Sequence, residues 1–111
     1  IIKIKKYLAV DTEIIVSSYI KCDHSLKSGD RVKEICKALG ADRYLNPIGG
    51  MKLYSKEDFN DSGICINFQK LQEINYKQFE NKFVPLLSIL DVIMFNDKAT
   101  VYNYMNKYQL L

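Results

Sequence analysis

The residues best suited to chemistry lie in DRYLNPIGGMKLY, Asp42 to Tyr54, where a chain with only five glycines sets two of them side by side. Without Cβ atoms, Gly49 and Gly50 can let a phosphate or carboxylate approach backbone N–H groups, and a helix start just beyond favours an anion. The pair can equally be a backbone packing requirement, or a tight turn in which Gly49 or Gly50 supplies a positive φ. NPIGG is neither GxGxxG nor a Walker loop, and it lacks their lysine and serine spacing. Asn46 and Tyr54 flank the glycines and offer hydrogen bonds to a sugar, Tyr54 alternatively packing beneath the loop. Asp30 and Arg31 open a helix at a strand-to-helix connection, where the guanidinium suits bidentate capture of a phosphate or carboxylate. Their plainer role is a cap with a surface ion pair, worth about 0 to 1 kcal/mol. No nucleophile and base stand together in the sequence, so no catalytic residue is assigned.

Metal and nucleic-acid chemistry find little support. Cys22, Cys36 and Cys65 are odd in number and form no CxxC pair, which argues against a disulfide framework and a structural zinc. Cys22 lies two residues from His24, the only histidine, but a closed zinc site needs four donors and no others are spaced to help. No metal and no cofactor are therefore expected. Cys36 and Cys65 read as core packing residues. The net charge of +3 comes almost wholly from lysine, the only arginines being Arg31 and Arg43. Sequence-reading nucleic-acid proteins lean on arginine and carry recognisable motifs, and neither NYKQF nor VYNYMNKY shows a single-strand-binding pattern. Nucleic acid is not an expected partner.

These residues must be positioned by one core. The 111 residues are 48% hydrophobic and 26% charged, an ordinary balance for a single α/β domain spanning 1–111. The longest apolar stretch, FVPLLSILDVIMF from Phe83 to Phe95, carries Asp91 and a proline and falls short of the roughly 20 residues of a membrane span. IIKIKKYLAV interleaves its lysines with apolar residues, unlike a signal peptide. The expected compartment is the reducing cytoplasm. There is no initiator Met, and an amphipathic pattern of Ile1, Ile4 and Leu8 runs from the first residue, so the chain reads as a C-terminal fragment that begins inside a helix.

Periodicity then gives alternating elements. EIIVSS, residues 13 to 18, has the β-branched run of a buried strand. GDRVKEICKALGA follows, with Val32, Ile35, Cys36 and Leu39 on one helical face. Ser28 or Asp30 suits its N-cap and Gly40 its left-handed end. RYL, residues 43 to 45, forms a short strand stopped by Pro47. SKED from Ser55 resembles a capping box and opens a short helix through Phe59 that ends at Gly63. ICINF, residues 64 to 68, is a third strand. Two strand–helix–strand units in series predict a short parallel sheet, βαβαβ, flanked by helices. NPIGG then lies beyond the carboxyl end of a strand, where ligands of such sheets bind. Two further helices close the chain. SILDVIMFN is apolar nearly all round and is capped by Ser88 with Asp91 three residues on, and Asp97 caps DKATVYNYMNKY, with Val101, Met105 and Tyr108 on one face. A buried Asp91 demands a partner, so it is either that cap or a site residue.

The succession DRVKEICKALGADRYLNPIGGMKLY, FNDSGICINF and YKQFENKFVPLLSILDVIMFN resembles the carboxy-terminal half of the WbqC-like proteins, a bacterial family encoded among surface-polysaccharide and O-antigen genes. YLNPIGG and FVPLLSILDVIMFN are its most specific segments, and Met51 and Lys52 depart from the family's usual polar residue and Glu. Gln78, Ser88, Asp91 and Asn96 match polar positions of the family's final motif. The resemblance implies an amino-terminal half with a His-Gln-Pro-x-Tyr-like segment that is absent from this sequence. It also implies a transferase that adds an acyl or aminoacyl group to a nucleotide-linked amino sugar. The alternative is a structural or interaction module whose SILDVIMF helix docks the missing amino-terminal half, or a second copy as a homodimer.

Overall fold

The computed structural model describes residues 1–80 and 82–111. Its helices follow local chemistry. α1 spans Ile2–Tyr7, α2 Ser28–Ala38 and α3 Lys56–Asn60, and α4 (Ile89–Phe95) and α5 (Lys98–Met105) lie near the carboxyl end. Side chains cap three of them: Ser55 accepts from the Asp58 N–H, Ser88 from the Leu90 N–H and Asp97 from the Thr100 N–H. Gly40 (φ 64°) and Gly63 (φ 75°) take the left-handed conformation just beyond α2 and α3, as helix ends favour.

Three strands form one sheet in the order β1 (Arg43–Pro47), β2 (Cys65–Leu71), β3 (Tyr108–Leu110). β1 and β2 run parallel, Arg43 opposite Cys65 and Pro47 opposite Gln69, with α3 in the connection between them. β3 runs against β2: Phe68 and Leu111 exchange both backbone hydrogen bonds at 2.9 Å, and Gln72 N–H donates to the Lys107 carbonyl. The sheet is thus mixed.

The chain divides into two compact units, residues 13–70 with 110–111 and residues 1–12 with 71–109. In the 13–70 unit, Cys36, Phe59, Ile64, Ile66 and Phe68 form the buried core, with Val32, Ala41, Tyr44 and Tyr54 packed against it. Lys33 joins α2 to α3 beside this core, its Nζ lying 2.8 Å from Asp58 and 3.0 Å from Asp30. The Asp58 bond, then the Asp30 bond, raises the lysine's pKa. In the 71–109 unit Leu8, Val92 and Val101 are buried, surrounded by Ile4, Val10, Ile74, Tyr76, Ile89, Ile93 and Tyr104.

Several expectations are corrected. EIIVSS is not a strand: residues 13–16 join no ladder, a 3-10 turn spans Ser17–Tyr19, and Ile14, Ile15 and Val16 are exposed. A β-branched run favours a pleated, half-buried surface, and without a neighbouring strand it has none to fit. The sheet therefore holds one strand–helix–strand unit rather than two. Cys65 is exposed, because Ile66 and Phe68 take the core-facing positions of β2 and the period of two turns Cys65 away. Neither Ser28 nor Asp30 caps α2. Lys27 holds the N-cap position without a side-chain bond, and Asp30 pairs with Lys33. Tyr108 lies beyond α5, in β3.

Candidate functional site

The glycine segment is a 3-10 turn, Ile48–Lys52, between β1 and α3. Neither Gly49 nor Gly50 has a positive φ, so the left-handed turn is not the reason for either glycine. Packing sets Gly50 apart from Gly49. A Cβ built there collides with Nδ2 and Cγ of Asn46 and comes within 3.3 Å of the Tyr54 ring, whereas one at Gly49 meets nothing within 4 Å. The Gly50 carbonyl accepts from the Leu53 and Tyr54 N–H groups at 2.9 and 3.0 Å, which closes the turn.

The flanking residues are spent largely on this arrangement. Asn46 Oδ1 accepts from the Tyr44 hydroxyl at 3.3 Å. Tyr54 packs edge-on to Phe59 and to Tyr44, which itself stacks on Phe59 with centroids 5.9 Å apart. Burial, followed by the neighbouring Tyr54, pushes the Tyr44 phenol pKa up. Arg31 meets neither Asp30 nor the glycine turn through any hydrogen bond. Its terminal nitrogens reach the carbonyl oxygen and Nδ1 of His24 at 2.8 and 3.0 Å. The structure thus joins Asn46, Gly50 and Tyr54 in one packed group and directs Arg31 to His24.

The second polar group lies in the 71–109 unit. The Tyr76 hydroxyl donates to Asp91 Oδ2 at 2.6 Å, and Gln78 Nε2 donates to the same oxygen at 2.9 Å. Asp91 therefore does not cap α4 in the way the capping box predicts; its side chain turns to Tyr76, leaving the cap to Ser88. Gln78, 7% exposed, is also a clamp: its Oε1 accepts from the Val84 N–H at 2.7 Å and its Nε2 donates to the Val84 carbonyl at 3.1 Å. One side-chain amide so mimics a backbone pairing partner and closes the segment between residues 78 and 84. Phe79 and Leu86, at or just beyond its ends, both have positive φ, a costly conformation for bulky residues.

Aromatic rings frame this group. Tyr76 meets Phe83 edge-on at 5.1 Å between centroids and lies 6.4 Å from Phe95 and 6.1 Å from Tyr104. The Tyr76 phenol pKa is raised, first by burial and then by its bond to Asp91, so it acts as a donor rather than a base. Asp91 Oδ1 has no donor among the described residues. The result is a carboxyl group with one oxygen fixed by two donors and the other without a donor among the described residues, a group whose chemistry suits an ammonium or hydroxyl. Asn96, also a sequence candidate, is turned back on α4, its Nδ2 donating to the Val92 carbonyl at 2.8 Å.

Sequence reasoning missed Tyr76 and His24. The signal for Tyr76 was Tyr-x-Gln, which puts both side chains on one side of an extended segment, upstream of an acid embedded in an apolar helix. Nothing local marked His24 as the partner of Arg31. Among the described residues, no three His, Cys, Asp or Glu side chains are grouped to hold a metal, and no helix is long and apolar enough to cross a membrane.

Comparison with known proteins gives one match. The model of the WbqC-like protein family covers residues 1–103. No curated protein and no solved structure matches the chain significantly.

Proposed function

The chain belongs to the WbqC-like protein family, and from that premise we propose that it serves a cytoplasmic transferase of surface-polysaccharide or O-antigen assembly. The reaction is transfer of an acyl or aminoacyl group to a nucleotide-linked amino sugar, and the amino-terminal half implied by the family resemblance completes the enzyme. The observation that carries this reading is Asp91. Its Oδ2 is fixed by Tyr76 and Gln78, while Oδ1 has no donor among the described residues. Such a group orients the amine or a hydroxyl of the sugar, and orientation alone supplies much of the rate advantage of a bimolecular transfer. Asp91→Asn in the full-length protein retains the shape and loses the charge. It is expected to reduce sugar modification at least roughly a hundredfold with the circular dichroism spectrum unchanged. Full activity in that variant defeats the reading.

A second reading rests on a different observation. Phe79 and Leu86, and Met94 on α4, are 71%, 90% and 81% exposed. On this reading the unit is an interaction module that binds the amino-terminal half or a second copy. Sedimentation of the chain alone and with that half separates the two: a monomer that ignores the added half removes the interaction reading.

A further inference from the structure

We propose that the outer edge of β1 pairs with residues 13–16 of a second copy of the chain, each copy lending the other a strand. The orientation of that edge follows from the register. Cys65 N–H donates to the Asp42 carbonyl at 2.8 Å, and Tyr44 stands opposite Ile66. In a parallel ladder alternate residues turn both backbone groups to the same neighbour, so Asp42, Tyr44 and Asn46 serve β2. Arg43 and Leu45 turn theirs outward. β1 is the outer strand of the sheet, and these outward groups have no hydrogen-bond partner among the described residues. An edge of this kind is a template for another strand.

Residues 13–16 have the complementary need. Ile14, Ile15 and Val16 are exposed and β-branched, and Val16 is already extended at φ −82° and ψ 115°. Among the backbone groups of residues 12–16 only the Val16 carbonyl is engaged, by the Tyr19 N–H at 2.9 Å. Laid parallel to β1, with Glu13 beside Arg43 and Ile15 beside Leu45, the segment satisfies every outward group of those two residues. The Arg43 and Leu45 N–H groups donate to the Thr12 and Ile14 carbonyls, and the Arg43 and Leu45 carbonyls accept from the Ile14 and Val16 N–H groups. The engaged Val16 carbonyl is not called on. The same register sets Glu13 against Arg43, neither of which forms an ion pair among the described residues, and Ile15 against the half-exposed Leu45. Pro47, the next outward residue, has no N–H and ends the pairing. Within one chain residues 13–16 join no ladder, so the strand comes from a second copy, and reciprocal exchange closes about a two-fold axis. Both partners in the pairing belong to the 13–70 unit, and the inference depends neither on the Asp91 reading nor on the exposed residues of α4.

Sedimentation of the chain is expected to show a dimer. In a sample that mixes nitrogen-labelled with carbon-labelled copies, nuclear Overhauser contacts between copies are expected to join Ile15 to Leu45. Leu45→Pro removes an outward N–H that the single chain does not use, and should weaken dimerisation at least roughly tenfold while the Phe59 and Ile66 resonances stay in place. Glu13→Arg and Arg43→Glu should each weaken it about threefold, and the two together should restore it. A monomer, a dimer that Leu45→Pro leaves intact, or contacts between Ile15 and Leu45 confined to one chain overturns the proposal.

Discussion

The two units spend their polar residues differently. Around Gly50, the polar and aromatic groups serve packing: Asn46 occupies the space a Cβ would need, Tyr44 bonds to it, and Tyr54 lies against Phe59. Around Asp91, the same kinds of bond fix one carboxyl oxygen and leave the other without a donor among the described residues. A glycine pair catches the eye as a candidate ligand cradle, yet what recommends a site is the polar atom that remains open after the fold has used the rest.

Substitutions can break this contrast. The largest effect is expected in the 13–70 core, where Phe59 is 0% exposed and Phe59→Ala should cost about 3–5 kcal/mol in chemical denaturation. Gly50→Val comes next, at about 1–3 kcal/mol, because the added carbons must displace Asn46 and Tyr54. Gly49→Ala is its control and should stay within about 0.5 kcal/mol. Equal losses at both glycines would show that the turn, and not packing at Gly50, is what the pair provides.

The 71–109 unit offers the complementary tests. Gln78→Ala orphans the Val84 N–H and carbonyl and removes a donor from Asp91, for an expected cost of about 1–3 kcal/mol. Hydrogen exchange at the Val84 amide should quicken more than at α2 amides, which keeps the effect local. Asp97 gives the smallest effect. The Thr100 backbone N–H, first among its causes, lowers its folded pKa, so its contribution is present above the unfolded carboxyl pKa and fades as pH falls through the folded one. Asp97→Ala should therefore be less stable than wild type at neutral pH, and the gap should close in acid. A gap that persists at low pH would mean that the lost stability is not the charged cap.

What was legible in the sequence was mostly local. The caps at Ser55, Ser88 and Asp97, the left-handed Gly40 and the helix stop at Gly63 depend on neighbours a few residues away, and the structure bears each out. EIIVSS failed because a strand needs a partner that composition cannot supply. Cys65, expected in the core, is exposed because the strand period of two turns it away from the face that Ile66 and Phe68 bury. Asp91 was recognised as needing a partner, but Tyr76 lies 15 positions away and only folding brings the two together. Gly50 was the hardest: its reason is the Asn46 side chain four residues earlier, folded back into the missing Cβ's place.

The most direct test is an amide NMR titration of the protein with a UDP-linked amino sugar, following Tyr76, Gln78 and Asp91 beside Gly49, Gly50 and Arg31. Saturable shifts centred on Gln78 and Asp91, with Gly49 and Gly50 unmoved, are the predicted result. Shifts centred instead on Gly49, Gly50 and Arg31 would contradict it and make the glycine turn the ligand cradle.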